Sequence, residues 1–195
     1  MLLVFSLTAL LLVTLTLPIT VVSGQEDQDG EDQQWLTYED PDFGYTIQYT
    51  SDWEELNTIN YENTSDKSFR VPEKYPWGAF EISIEPLEKY LDTDTLTIKT
   101  RTLQDSVVGQ IAGINSDPDL ELLKNISTTV GQDHYPAVQV QFSERGVLSG
   151  DTYWIRTFMV NDGYRYLFSF FAPALDTPKL SPTAEKMLAS FQITR

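Results

Sequence analysis

The chain of 195 residues contains no cysteine and a single histidine. The first absence excludes disulfides, thiol catalysis, thiolate metal sites and lipid attachment through cysteine. The second excludes a multi-histidine metal centre within one chain. Basic side chains are scarce as well: 13 Lys and Arg stand against 29 Asp and Glu, a formal net charge of −16. No Lys or Arg precedes Lys67, whereas thirteen acidic residues lie between Glu26 and Asp66. Such a surface repels phosphate backbones and anionic headgroups, which disfavours nucleic acid as a partner and leaves cationic partners and divalent ions open. The sequence also carries no Gly-x-Ser-x-Gly elbow, no Gly-x-x-x-x-Gly-Lys loop and no His-Glu-x-x-His helix, so the common motif-bearing enzyme classes have no support.

What is present begins with a leader. Leu2 to Val22 is an uncharged run rich in Leu, Val and Thr, broken by Pro18 and closed by Ser23-Gly24. Residues 1–24 read as a secretory signal cut between Gly24 and Gln25, or as an uncleaved membrane anchor of about 20 apolar residues. Either way the folded part lies outside the cytoplasm, in the extracellular space or at the outer face of the membrane, and any membrane association runs through this segment. Residues 25–34 are acidic and amide-rich with no apolar side chain, a solvated linker. Residues 35–195 are then one domain, long enough to hold a core without disulfides. Two sequons, at Asn63 and Asn125, are candidate glycosylation sites in an exported chain.

Within the domain, Trp35–Tyr38 and Tyr45–Tyr49 are β-rich runs around the turn-forming cluster Glu39 to Gly44, a hairpin. Trp53 to Tyr61 and Ser68 to Val71 read as extended, and Phe80, Ile82 and Ile84 alternate with Glu81 and Ser83, which should face water. Thr102 to Asp105 resembles a capping box that opens a helix with Leu103, Val107, Ile111 and Ile114 on one face, while Gly109 and Gly113 permit close packing on a sheet. Val138, Val140 and Phe142 alternate with polar residues. Thr152 to Val160 and Tyr164 to Phe171 are apolar on both faces and should be covered on both sides, joined through a tight Asn161-Asp162-Gly163 turn. Ser181 and Pro182 open a last helix whose Ala184, Met187, Leu188 and Phe191 share a face. The sum is an α+β domain, an antiparallel sheet covered by helices on both faces.

Two segments carry a family likeness: Tyr38 to Trp53, with its Pro-containing turn, Phe43-Gly44-Tyr45, alternating strand and tryptophan, and Ala184 to Phe191, a helix closing on Ser190-Phe191. They resemble the PsbP-like family over about Trp35 to the C-terminus, with Thr50 standing where the family usually has proline. The resemblance implies an α/β/α sandwich and an extrinsic, non-catalytic accessory protein on the outer side of a membrane. The founding members are lumenal subunits that help photosystem II retain calcium and chloride. Their docking relies on basic side chains, which this chain lacks before Lys67.

Several residues are candidates for chemistry. Asp117, Asp119 and Glu121 offer oxygens to calcium after the first helix, and calcium is the one cofactor the sequence suggests. Tyr75 and Trp77 place two large rings in a turn-rich stretch, a candidate contact for a protein or glycan partner at the cell envelope. His134 is a candidate base or ligand, with a surface strand-edge position the simpler reading. The leading expectation is an exported binding or accessory protein. The alternatives are a cell-surface hydrolase built on paired carboxylates, for which a cleft lined by such a pair is the required sign, and a calcium-dependent surface binding protein.

Overall fold

A computed structural model describes residues 34–194 apart from 57–58, 62–63, 93–96, 101 and 147–149. Asp40 makes the first turn. Its carboxylate accepts the backbone N–H groups of Asp42 and Phe43 (3.0 and 2.9 Å) and the Ser65 hydroxyl (3.1 Å), and Gly44 supplies φ 61°. The turn joins β1 (Trp35–Asp40) to β2 (Tyr45–Thr50), which also pairs with the short C-terminal β13 (Gln192–Ile193) in a three-stranded antiparallel sheet.

The large sheet is antiparallel throughout. It comprises β3 (Glu54–Glu55), β4 (Ile59–Tyr61), β5 (Thr64–Arg70), β6 (Ala79–Pro86), β9 (Leu120–Val130), β10 (Tyr135–Glu144), β11 (Thr152–Asn161) and β12 (Tyr164–Pro173), in the order β3-β5-β6-β12-β11-β10-β9 with β4 also on β5. β7 (Lys89–Asp92) and β8 (Thr97–Thr100) form a separate hairpin. The expected β11–β12 hairpin is present, with Asp162 and Gly163 at φ 48° and 80° as a tight two-residue turn demands.

Helix α1 (Leu103–Ser116) starts on the expected capping box: the Asp105 N–H donates to Thr102 Oγ1 (3.2 Å) and the Thr102 N–H to Asp105 Oδ2 (2.7 Å). Its Val107 and Ile114 pack with Val140, Phe142 and Phe158. Gly109 and Gly113 do not mediate that packing. Both are exposed, and a Cβ at either would meet nothing within 4 Å. Helix α2 (Thr177–Ser190) begins four residues before the expected Ser181: Pro178 sits in its first turn, Asp176 stands at the N-cap without a side-chain cap bond, and Pro182 sits inside the helix and forfeits one backbone bond.

Alternation along the strands sends side chains to two faces. One face, with Phe80, Ile82, Ile84, Tyr166, Phe168 and Phe170, is covered by α2 and the small sheet and forms the main core. Phe191 is its centre, fully buried with ring centroids 4.9 Å from Phe168, 5.4 Å from Tyr45 and 5.8 Å from Tyr166. The other face takes α1, which packs mainly over β9, β10 and β11 and reaches β12 through the Leu167 side of the second core cluster. α2 and α1 thus lie against opposite faces of the sheet, and among the described residues the polar part of β5, β6 and β12 borders a groove.

Candidate functional site

The groove arises from register. Ser68 on β5 stands opposite Glu81 on β6, Glu81 opposite Ser169 on β12, and Ser169 opposite Arg156 on β11. These four residues form one polar row across four strands, roughly 4.8 Å apart at each step. The next row brings Asp66, Ser83 and Leu167. With Leu56 they line a concavity of about 560 Å³, within the range of small-molecule sites. Glu81 and Ser83 therefore face this groove and are half-buried, in place of the open water expected for them.

Arg156 is held by rings and an amide. Its guanidinium lies 5.0 Å from the Trp154 ring centroid and 5.4 Å from that of Phe142, and Nη1 donates to Gln110 Oε1 of α1 at 2.7 Å. Trp154 is in turn stacked on Phe171 (4.6 Å) and Phe142 (5.8 Å), with its Nε1–H donated to Glu144 (2.9 Å). No carboxylate reaches Arg156 within ion-pair distance among the described residues, and its buried Nε has no hydrogen-bond partner there. Glu81 likewise accepts no hydrogen bond among them. Burial pushes the Glu81 carboxyl up, Arg156 pulls it down and Asp66 pushes it further up, with the net upward. For Arg156, burial lowers the pKa while Glu81 and Glu144 raise it, with the net downward. The two opposite charges sense each other across Ser169 without meeting, so each carries an uncompensated desolvation cost.

The opposite face holds a different polar cluster that is fully paired. Lys67, 3% exposed, donates from Nζ to Glu55 Oε1 (2.7 Å) and to the Leu56 carbonyl (2.8 Å), and lies 4.2 Å from the Tyr38 ring centroid. Tyr49 donates its hydroxyl to Glu55 Oε2 (2.8 Å); burial and that carboxylate push its pKa up to about 12. With every member satisfied, this cluster pins β3 to β5 and has no free group to offer a ligand.

The residues singled out from the sequence are dispersed. Asp117 caps the C-terminus of α1, and its Oδ1 accepts the Asp119 N–H (3.0 Å); Glu121 is exposed in β9. Among the described residues no three Asp, Glu or His side chains form a group able to hold a metal. Trp77 adds to the aromatic ladder, 6.4 Å from Phe171, and Tyr75 packs on the main core. Together with Arg70, Val71, Glu73 and Pro76 they line a second cavity of about 230 Å³. His134 is exposed in the β9–β10 turn at φ 55°. Asn125 is exposed on β9, which fits a sequon, whereas Gly24, Gln25 and Asn63 lie outside the described residues. Sequence reasoning missed Arg156, Ser169 and Glu81. No local signal marks them: Arg156 and Ser169 stand in strands rich in apolar residues, but so do Thr157 and Arg165, which lie outside the row.

This order of elements, an antiparallel sheet with two helices, is the PsbP-like fold. Among solved structures the chain is similar to the cyanobacterial PsbP (CyanoP) from Synechocystis sp., at 14% identity over 83% of this chain and 93% of that one, with a TM-score of 0.57. It is also similar to LpqN from Mycobacterium tuberculosis, a protein involved in cell envelope biogenesis, at 12% identity over 84% and 92% of the two chains, with a TM-score of 0.56. The sequence matches no family model and no curated protein. At these identities the likeness establishes the fold, and function has to be argued from the site.

Proposed function

We propose that the chain is an exported, non-catalytic binding or accessory protein at the outer face of a membrane, and that the groove over β5, β6, β12 and β11 is where it binds. The observation that carries this reading is the row Ser68–Glu81–Ser169–Arg156, in which two opposite charges are partly desolvated and form no ion pair among the described residues. Unpaired buried polar groups are retained where they serve recognition, since a structural role is better served by full pairing or apolar replacement. The uncharged leader and the cell-envelope role of LpqN support the outer-face location. The test is to express the full chain with a C-terminal epitope, fractionate the cells and treat them with external protease. Recovery of the epitope outside the cytoplasmic membrane is expected; retention of an intact, protected chain in the cytoplasm would overturn the location.

A second reading, a cell-surface carboxylate hydrolase, gains one specific observation: Asp66 and Glu81 line the same groove from adjacent strands, and burial raises Glu81, as suits a general acid. Release of reducing ends from a glycoside, abolished by Glu81→Gln, would replace the non-catalytic reading with this one.

A further inference from the structure

The groove's chemistry restricts what it can hold. A simple anion attracted to Arg156 would meet Glu81 one strand beyond Ser169 and Asp66 beside it, on a chain of net charge −16. A simple cation attracted to the carboxylates would meet Arg156. The groups that satisfy all members at once are neutral and both donate and accept: they accept from the guanidinium, donate to Glu81, and do either with Ser68, Ser83 and Ser169. Hydroxyls have this property, as do amides. Extended peptides, however, are taken up at sheet edges through backbone hydrogen bonds. This groove lies over the faces of interior strands β6 and β12 and offers side chains only. Leu56 and Leu167 add apolar surface beside the polar row, matching a ligand with C–H faces and hydroxyl edges.

We infer that the groove is a saccharide site, taking a neutral sugar ring whose neighbouring hydroxyls bridge Arg156 and Glu81 across Ser169. The inference rests on the binding role proposed for the groove and specifies its ligand. Ser169 is the positioning element. It is buried, opposite both charged residues in register, and small enough to leave the space between them open.

The test uses the full chain as the cell produces it. Glucose, N-acetylglucosamine, cellobiose and chitobiose are titrated at millimolar concentration by calorimetry and saturation-transfer NMR, beside glucuronate, glucosamine and a tetra-alanine peptide. Saturable binding of at least one neutral sugar, in preference to the charged sugars and the peptide, is expected. Glu81→Gln and Ser169→Ala should each weaken it roughly tenfold or more, as loss of a hydrogen bond to a charged or buried group does. Neither variant adds bulk at the site, and a cooperative melt close to that of the parent confirms that they fold; Ser68→Ala serves as a second, milder probe of the same row. No saturable neutral-sugar binding, binding indifferent to all three substitutions, or preference for glucuronate, glucosamine or the peptide would each overturn the inference. None of these results bears on where the chain is located, so failure of the saccharide assignment is distinguishable from failure of the export reading. Reducing-end release in the same mixtures separates binding from hydrolysis.

Discussion

Replacing Glu81 by glutamine should make the protein more stable at neutral pH while removing its ligand. Two effects oppose one another. The substitution removes a carboxylate that burial disfavours, and it takes from Arg156 one of two nearby negative charges, leaving Glu144, the Gln110 hydrogen bond and the Trp154 and Phe142 rings in place. Burial acts on Glu81 more strongly than the attraction of Arg156 does, so the first effect wins. Because the group is half-buried, the gain belongs at the low end of what neutralising a desolvated charge yields, about 0.5–1 kcal/mol. The sign with pH follows. A carboxyl raised above its unfolded value contributes stability that is complete below the unfolded pKa and is lost as pH rises through the folded one. Parent and variant should therefore be equally stable in acid below the ordinary Glu range, then diverge with rising pH to a constant difference. Urea unfolding at fixed ionic strength would read this at neutral pH as a midpoint higher by about 0.25–0.5 M with an unchanged slope. If Glu81 were present to neutralise Arg156, the variant would instead be destabilised at neutral pH by about 1 kcal/mol or more, since the guanidinium would lose its compensation. That result would refute the reasoning.

Two further substitutions test the scaffold. Gly131 has φ 74°, and a Cβ there would run into the backbone carbonyl of Phe191, so Gly131→Ala should cost about 2–4 kcal/mol and lower the melting temperature by roughly 4–16 °C in a domain of this size; calorimetry that showed no loss would disprove the contact between the β9–β10 turn and the end of α2. Thr50 is fully buried and its hydroxyl has no hydrogen-bond partner among the described residues, so the near-isosteric Thr50→Val should stabilise by about 0.5–1.5 kcal/mol in chemical denaturation, and a loss of stability would show that the hydroxyl is satisfied.

How much of this was legible follows from the range over which each signal acts. The capping box at Thr102, the Asp162-Gly163 turn and the β1–β2 hairpin are local devices, readable within four or five residues, and each stands where the sequence places it. The likeness to the PsbP-like family holds at the level of the fold, and its closing Ser190-Phe191 has a physical basis: Phe191 fills the main core while Ser190 Oγ accepts the Gln48 N–H (2.8 Å), fastening α2 to β2. Strand β9 was not legible. As an edge strand it is mostly exposed, and a register shift opposite Gln141 and Phe142 interrupts the alternation a strand is recognised by. The start of α2 differs from the expected one because Pro178 and Pro182 lie one turn apart and either suits a first turn, while no side-chain cap marks the true start. The polar row was beyond reach in principle: Ser68, Glu81, Arg156 and Ser169 become neighbours only through strand order and register, which no local pattern encodes.

The way Arg156 is anchored explains how a charge can be kept in a strand that is otherwise apolar. A carboxylate partner in the sheet would hold the guanidinium firmly but consume its charge, and a fully formed buried ion pair would close the groove between β11 and β6. The rings of Trp154 and Phe142 attract the cation through their faces without supplying a hydrogen-bond acceptor, and the neutral Gln110 takes a single N–H. Positioning is thus separated from neutralisation. α1 serves this end by its placement: packed mainly over β9, β10 and β11, it brings Gln110 to Arg156 from one side. The same helix that completes the second core cluster with Val107 and Ile114 thus also holds Arg156, the charged residue at the β11 end of the polar row.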